Sequence, residues 1–425
     1  MTGVMEPETA RWLTSTEGQA LMALAEASGP PRATGTQREL AIQMSLRSAG
    51  HPATRVAAVM SLLAARAKAV GKFGDTAGSL FVTQEGIEQA TRPQLAARHT
   101  ARFVAAGVQE VFDLGCGIGS DAATFARAGI KVVAVEADPV TATFAAANLR
   151  SWPSARVMTG TAQDVALPRG DAARHTGVWV DPGRRVRGVA DVHGRARRVF
   201  SLDEISPSWA EVCAWAAQLP ATGAKLSPAF PHAALPPGAE AQWASWHGEV
   251  LECVVWWGPL VEHLGRTAAV CRSDATPGLV TEAHAAAGEA HSQAAVEAVA
   301  EVGPWLWEAD KAVIRAGLTG ALPGRELARG VGLSTGDSNT DLPWARRFAV
   351  LDVLPARAKV VRQWARARGV GALTLKKRGT SIEPDRFRAD VGPVRGPSSA
   401  TLVLTTIAGG QSAVAIAVDP TVGPQ

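Results

Sequence analysis

Val111-Phe112-Asp113-Leu114-Gly115-Cys116-Gly117-Ile118-Gly119 is the stretch that decides the fold. A short apolar run breaks into three glycines spaced one apart. The SDAATFARAG that follows (120–129) reads as a helix ending in glycine. Glycine is needed where backbone turns with positive φ, or where a ligand touches backbone with no Cβ in the way. Working outward, IKVVAVEA (130–137) is a second strand and DPVTATFAAANLR (138–150) a second helix, with Asp138 as its cap. RVMTGTAQDV (156–165) and GVWVDPG (177–183) are two further strand-to-loop junctions. Strands alternating with helices imply an α/β, Rossmann-like parallel sheet with right-handed crossovers. Ligands of such sheets bind beyond the carboxyl ends of the strands.

The rest of the chain frames this unit. Residues 8–70 read as helical, and RVAAVMSLLAARAKAV places Val56, Val59, Met60, Leu63 and Ala67 on one face, with Gly71 and Gly74 ending the helix. In FVTQEGIEQATRP (81–93), Thr83 and Thr91 can both cap helices. TGAKLSP (222–228) reads as a strand end, and HGEVLECVVWWG (247–258) as an antiparallel strand. Residues 303–425 look like a separate α+β unit: a helix over 309–316, strands near 348–353 and 371–377, a helix over 358–368 and a final strand pair. The expected division is a helical region 1–75, a nucleotide-binding domain 76–270, a small insert 300–335 and a basic domain 340–425.

Composition excludes several classes. The chain has 425 residues, 47% hydrophobic and 19% charged, a globular profile of more than one domain. No run of 18 apolar residues is present, and MTGVMEPETARWL lacks the basic start and apolar core of a signal peptide. Cys116, Cys213, Cys253 and Cys271 are widely spaced, which argues against a disulfide scaffold and a thiolate zinc site. No metal is expected, and the default location is the cytoplasm. Thirteen Trp and no Tyr, with abundant Ala, Gly, Arg and Pro, fit a GC-rich genome. The formal net charge of +4 hides an asymmetry, because residues 343–395 carry net +9 and the remainder net −5. A basic segment on a mildly acidic chain is the footprint of polyanion binding.

Two readings of the glycine loop compete. A dinucleotide fold wants G-x-G-x-x-G, yet here the spacing is G-x-G-x-G with Asp113 ahead. Twenty-three residues after Asp113, Glu136 ends the next strand, where a carboxylate can accept both hydroxyls of a ribose. The loop resembles motif I of class I S-adenosylmethionine (SAM)-dependent methyltransferases, D-x-G-x-G-x-G. The resemblance implies that Asp113, Gly115, Gly117, Gly119 and Glu136 bind SAM, with Asp113 near the ammonium of its methionine tail. It also places Asp164 at the adenine amino group. Thr83 either closes over the cofactor or simply caps a helix.

GVWVDPGRR (177–185) resembles motif IV of methyltransferases acting on exocyclic or ring nitrogens, [D/N/S]-P-P-[Y/F/W]. There the acidic or amide side chain and the prolyl carbonyl accept hydrogen bonds from the target NH, which aims the nitrogen lone pair at the sulfonium methyl. Asp181 and Pro182 match, but Gly183 and Arg184 replace the second proline and the aromatic. Either stacking comes from elsewhere, or Arg184 stacks on the base as a cation, or the substrate is not a base.

FVTQEGIEQAT resembles the V-T-P-E segment of trimethylguanosine synthase-like RNA methyltransferases. Together FVTQEGIEQATRP, DLGCGIGSDA, DPGRR, KLSP, EAQWAS and LKKRG resemble a bacterial family of class I methyltransferases with a C-terminal THUMP-like domain, whose loop commonly reads D-P-A-R-R. There GPWLWEADKAVIRAGL (303–318) resembles the family's small ferredoxin-like insert. The resemblance implies methylation of a base nitrogen in structured RNA (rRNA or tRNA), with no membrane or DNA partner. Catalysis falls to Asp181, Pro182 and Arg184, and RNA binding to Arg185, Arg362, Lys376, Lys377 and Arg378. Lys225 at the KLSP strand end either orients substrate or is merely exposed. Two other functions stay open: a SAM-binding but non-catalytic RNA-binding protein, and a methyltransferase of small molecules or proteins.

Overall fold

The computed structural model describes residues 5–28, 35–183, 185–190, 196–198, 202, 204–272, 276–291, 296, 298–407 and 412–419. Arg184 lies outside them, as does the side chain of Arg185. The chain divides into two compact units, Met1–Lys225 with Trp256–Leu260, and Leu226–Val255 with Val261–Gln425.

The first unit opens with helices α1 (Pro7–Thr14), α2 (Thr16–Ser28), α3 (Gly35–Ser48) and α4 (Ala53–Phe73). Two more follow, α5 (Gln84–Gln89) and α6 (Pro93–Ala105). Then strand and helix alternate: β1 (Glu110–Leu114), α7 (Ser120–Arg127), β2 (Lys131–Glu136), α8 (Pro139–Leu149), β3 (Ala155–Thr159) and β4 (Thr176–Val180). A two-stranded ribbon, β5 (Arg185–Ala190) with β6 (Ala196–Arg198), precedes α9 (Trp209–Gln218) and β7 (Thr222–Leu226). The sheet runs β7-β4-β1-β2-β3, with every pairing parallel.

Buried parallel strands need cover on both faces, and Trp179 of β4 packs with Phe103 of α6 and Phe125 of α7 on the face opposite Val178 and Val180. On one face Phe112, Leu114, Val133, Val135, Val178 and Val180 pack with Val212 of α9. A second core joins the N-terminal helices to α8 through Leu13, Val59, Leu62, Phe81, Val140 and Phe144, and it includes Ile118 of the glycine loop. Helices α1–α4 therefore share one core with α8. The inward face of α4 differs from the expected one: Val56 and Val59 are buried, but so are Leu62, Ala65 and Ala69, while Met60 and Leu63 are half-buried. The alanines let a wide face of α4 approach its neighbours.

The second unit holds β8 (Glu240–Trp246), β9 (Glu249–Trp256), β10 (Gly265–Cys271), β11 (Gly278–Thr281) and α10 (Glu282–His291). Here β10 runs parallel to β8 and antiparallel to β11. Its remaining elements are β12 (Trp305–Ala309), α11 (Lys311–Ala316), β13 (Arg325–Glu326), β14 (Leu333–Gly336), β15 (Ala345–Pro355), α12 (Ala358–Ala367), β16 (Val370–Lys377), α13 (Pro384–Val391), β17 (Ser398–Ile407) and β18 (Ser412–Val418). They form one seven-stranded sheet, ordered β13-β14-β12-β15-β18-β17-β16. The long β15 pairs with β12 over 345–349 and with β18 from Val350 onward, so segments 300–335 and 340–425 share a sheet. Helix α11 starts two residues later than expected, because Ala309 completes β12 and the Asp310 side chain caps the helix at Ala312 N–H, 2.9 Å.

Candidate active site

The parallel register brings four strand ends to one edge. Leu114 is level with Val135 and Val180, and Val180 with Ala224. The residues one step beyond, Gly115, Glu136, Asp181 and Lys225, therefore lie side by side.

The glycine loop is built by close approach. Gly115 has φ +89°, and a Cβ there would stand 2.5 Å from the Asp181 carbonyl oxygen. Only glycine lets β1 hand its chain to the loop beside the end of β4. The Asp181 N–H in turn bonds the Leu114 carbonyl at 3.0 Å. Gly117, at φ +56°, opens onto empty space. Its N–H donates to Glu136 Oε2 (3.0 Å), while Asp138 N–H donates to Glu136 Oε1 (2.8 Å), so the carboxylate is pinned at the lip of the loop. Asp138 also caps α8 through Thr141 N–H at 2.9 Å. From the outer side, the Asn148 amide donates to the Phe81 and Ile118 carbonyls (3.0 and 2.9 Å) and accepts from Phe81 N–H (2.8 Å). This ties the FVT segment to the loop. Thr83 caps α5, accepting from Gly86 N–H at 3.0 Å.

Asp113 lies beneath the loop, 1% exposed, and its Oδ2 has no hydrogen-bond partner among the described residues. Burial, with Asp121 and Asp181 adding negative potential, pushes its carboxyl well above the usual range. Asp164 is exposed, and its Oδ2 accepts from Thr161 N–H (3.0 Å) and Oγ1 (2.7 Å) in a capping box.

At the end of β4, Gly183 and Ser206 exchange backbone hydrogen bonds of 2.7 and 3.1 Å. Pro182 is buried, and Asp181 is partly open. The Asp181 Oδ2 forms an ion pair with Lys225 Nζ at 2.5 Å, and Lys225 is 8% exposed. Thr91, expected as a possible cap, is buried instead: it accepts from Lys225 Nζ (2.9 Å) and donates to Asp121 Oδ2 (2.5 Å). His99 Nδ1 meets Asp121 Oδ1 at 2.8 Å. Burial opposes ionisation of Asp121, but His99, Lys225 and Thr91 outweigh it and hold the carboxyl below its usual range. The Lys72 ammonium feels the same charges: burial, with Lys225 and Arg92 adding positive potential, lowers its pKa to about 8, and it donates to the Ile87 carbonyl at 2.7 Å. The sequence signal for this group is the set of polar residues on the inward face of α6, where His99, Thr100 and Arg102 are all buried.

The basic residues singled out in the second unit are mostly engaged. Lys376 and Arg378 both pair with the buried Glu308, at 2.7 and 2.9 Å. Burial works against that carboxylate, yet the two cations hold it below the usual range. Lys377 pairs with Glu383, and Arg362 donates to the Val391 and Asp390 carbonyls. All four thus have partners within the unit and remain partly exposed. On α12 and its cap, Arg357, Lys359 and Arg366 are exposed and carry no ion pair among the described residues. The expected roles of Arg184 and of the Arg185 side chain fall outside the described residues.

The residues present fit a SAM-type group on two counts: a buried acid with an unpartnered oxygen, suited to an ammonium, and a glycine cradle open at Gly117. Comparison with known proteins agrees. A family model described as THUMP domain-like matches residues 345–420, and a domain of unknown function matches residues 6–69. Two curated relatives from Mycobacterium tuberculosis, strains CDC 1551 and H37Rv, are each described as an uncharacterized S-adenosylmethionine-dependent methyltransferase. Each is 27% identical over 367 residues, covering 81% of this chain and 91% of theirs. A crystal structure from Porphyromonas gingivalis W83, described as a "putative methyltransferase", superposes with a TM-score of 0.70 at 19% identity, over 94% of this chain and 98% of that one. Among the described residues, no helix is long and apolar enough to cross a membrane. The chain thus has the strand order and glycine loop of the class I methyltransferase fold, resembles curated SAM-dependent methyltransferases along most of its length, and carries a THUMP domain-like segment at its C-terminal end.

Proposed function

We propose that the protein methylates RNA, at a base nitrogen of an rRNA or tRNA, in the cytoplasm. What SAM supplies when bound is an electrophilic methyl on a sulfonium whose sulfide leaves readily. The protein's part is then placement and exclusion of water. Asp113 takes the ammonium of the cofactor's methionine tail, and Glu136, held by Gly117 and Asp138 N–H, accepts from the ribose hydroxyls. Asp164 would meet the adenine amino group, and the Thr83 segment, tied to Ile118 through Asn148, would lie over the bound cofactor. The Asp181 carboxylate and the Pro182 carbonyl accept from the target N–H, leaving the nitrogen lone pair aimed at the methyl.

The observation that carries this reading is the Gly115 approach, the Asp181 backbone standing directly against the glycine loop. RNA as acceptor is supported by the THUMP domain-like match and by the exposed cations within it. Lys359 and Arg366, seven residues apart, lie on one helix face, with Arg357 at its start. Such a face suits backbone phosphates. The test is transfer from tritiated SAM to RNA extracted from cells lacking the protein, followed by mass spectrometry of nucleosides from deletion and parental strains. Label is expected in one nucleoside that the deletion strain lacks. Label surviving nuclease, or an unchanged nucleoside profile, would overturn it.

A further inference from the structure

The ion pair at the catalytic loop belongs to a longer chain of hydrogen bonds whose direction is fixed. Asp121, held ionised, can only accept, and it takes His99 Nδ1 on one oxygen and the Thr91 hydroxyl on the other. A threonine hydroxyl has a single proton, and Thr91 gives it to Asp121. Toward Lys225 it therefore presents lone pairs only, and the ammonium must donate. Lys225 then directs another N–H at Asp181 Oδ2. Such charge-assisted bonds are short and strongly oriented. The far end of the chain is buried: the His99 ring centroid lies 4.4 Å from that of the fully buried Trp179, and 5.9 Å from that of Trp256. The chain thus runs from the buried aromatic core to a side chain whose own loop is partly open.

We propose that Lys225 is a positioning residue for methyl transfer, fixing the plane of the Asp181 carboxylate, and that Thr91, with Asp121 and His99 behind it, fixes Lys225. This rests on the reading of Asp181 as the group that meets the target. A carboxylate at the end of a strand has a freely turning χ2, and an acceptor N–H needs one defined oxygen. The lysine supplies that definition from the neighbouring strand, and the register Val180↔Ala224 puts the two residues in step. The segment T-R-P with His eight residues after the threonine, and the K-L-S-P strand end, are thereby parts of one device.

The experiment compares Lys225→Met, Lys225→Arg and Thr91→Val with Asp181→Ala in the full chain. It measures S-adenosylhomocysteine affinity by calorimetry and transfer from tritiated SAM to RNA from cells lacking the protein. Lys225→Met is expected to lower kcat about 100-fold, the scale of a misplaced reacting group. Cofactor affinity and KM for RNA should stay within about threefold, because positioning acts on the transition state. Lys225→Arg should recover most of the loss, and Thr91→Val should lose about tenfold. Adding Lys225→Met to Asp181→Ala should cost nothing more, because the two residues act as one unit. A parental rate in Lys225→Met beside an inactive Asp181→Ala would refute the positioning role and leave the reading of Asp181 standing. An active Asp181→Ala would instead remove that reading. A raised KM with unchanged kcat would make Lys225 an RNA contact and overturn the proposal. If Lys225→Met does not fold, Thr91→Val decides, because it keeps the lysine and removes its tether together with the Thr91–Asp121 bond behind it.

Discussion

Gly115→Ala tests the close approach on which the site is built. The added methyl meets the Asp181 carbonyl at 2.5 Å, whereas carbon and oxygen settle near ~3.3 Å. Asp181 backbone must therefore retreat by about 0.8 Å, against its hydrogen bond to Leu114 and its ion pair with Lys225. The φ of +89° adds about 1–2 kcal/mol for a residue with a Cβ. With the displaced loop the total comes to about 3 kcal/mol, which in a unit of this size lowers Tm by about 6–12 °C. A catalytic group moved by nearly 1 Å costs about 100-fold in turnover. Gly117→Ala is the matched control. Its φ of +56° costs about 1 kcal/mol, and its Cβ meets nothing. Its Tm should fall by only about 2–4 °C. The methyl, however, projects into the space assigned to the cofactor, so affinity for S-adenosylhomocysteine should fall at least about tenfold, the loss from one badly placed group. Thermal unfolding, calorimetry with S-adenosylhomocysteine and tritiated methyl transfer separate the two variants. Equal destabilisation of both, or turnover of Gly115→Ala within threefold of the parent, would refute the reasoning.

Asn148→Ala leaves the Phe81 N–H and two carbonyls without their partner, and should cost about 2–3 kcal/mol in chemical denaturation. Asp113→Asn keeps the shape of a buried carboxyl whose pKa burial raises and removes its charge, so the fold should be retained while calorimetric binding of SAM is lost. The raised folded pKa of Asp113 means that its contribution is present at low pH and lost as pH rises above the unfolded value. The asparagine variant should therefore gain relative stability toward neutral pH in a denaturation series. Glu308 has the opposite sign: its depressed pKa gives stability that is present above the ordinary glutamate value and lost as pH falls below it. Glu308→Gln should flatten that acid loss while lowering stability at neutral pH. Arg357→Ala, Lys359→Ala and Arg366→Ala together should reduce the slope of log affinity for RNA against log salt by about 2, at ~0.7 for each phosphate no longer neutralised, in filter-binding titrations.

Motif I was legible because its glycines are forced by geometry: Gly115 has a carbonyl where any other side chain would start. The alternation of strands and helices was legible from the same constraint, since buried parallel strands are apolar throughout and their helices need caps such as Asp138. The polar chain beneath Asp181 was not. Thr91 ahead of Arg-Pro looks like a cap, and His99 sits among alanines that carry no period of their own; only the fold brings them to Asp121, 30 and 22 residues on. The partner of the basic strand end was hidden for a related reason. Lys376 and Arg378 read as open charge because their carboxylate, Glu308, lies 68 and 70 residues earlier in the chain. Helix α13 was missed because its eight residues, PDRFRADV, bury only Phe387 and Val391.

The exchange of hydrogen bonds between Gly183 and Ser206 has a bearing on engineering. The clasp is made of main-chain atoms alone, two residues past Asp181, so most side chains at either position can be exchanged with both bonds kept. A proline at position 206 would lack the N–H that Gly183 receives and would open one of the two bonds.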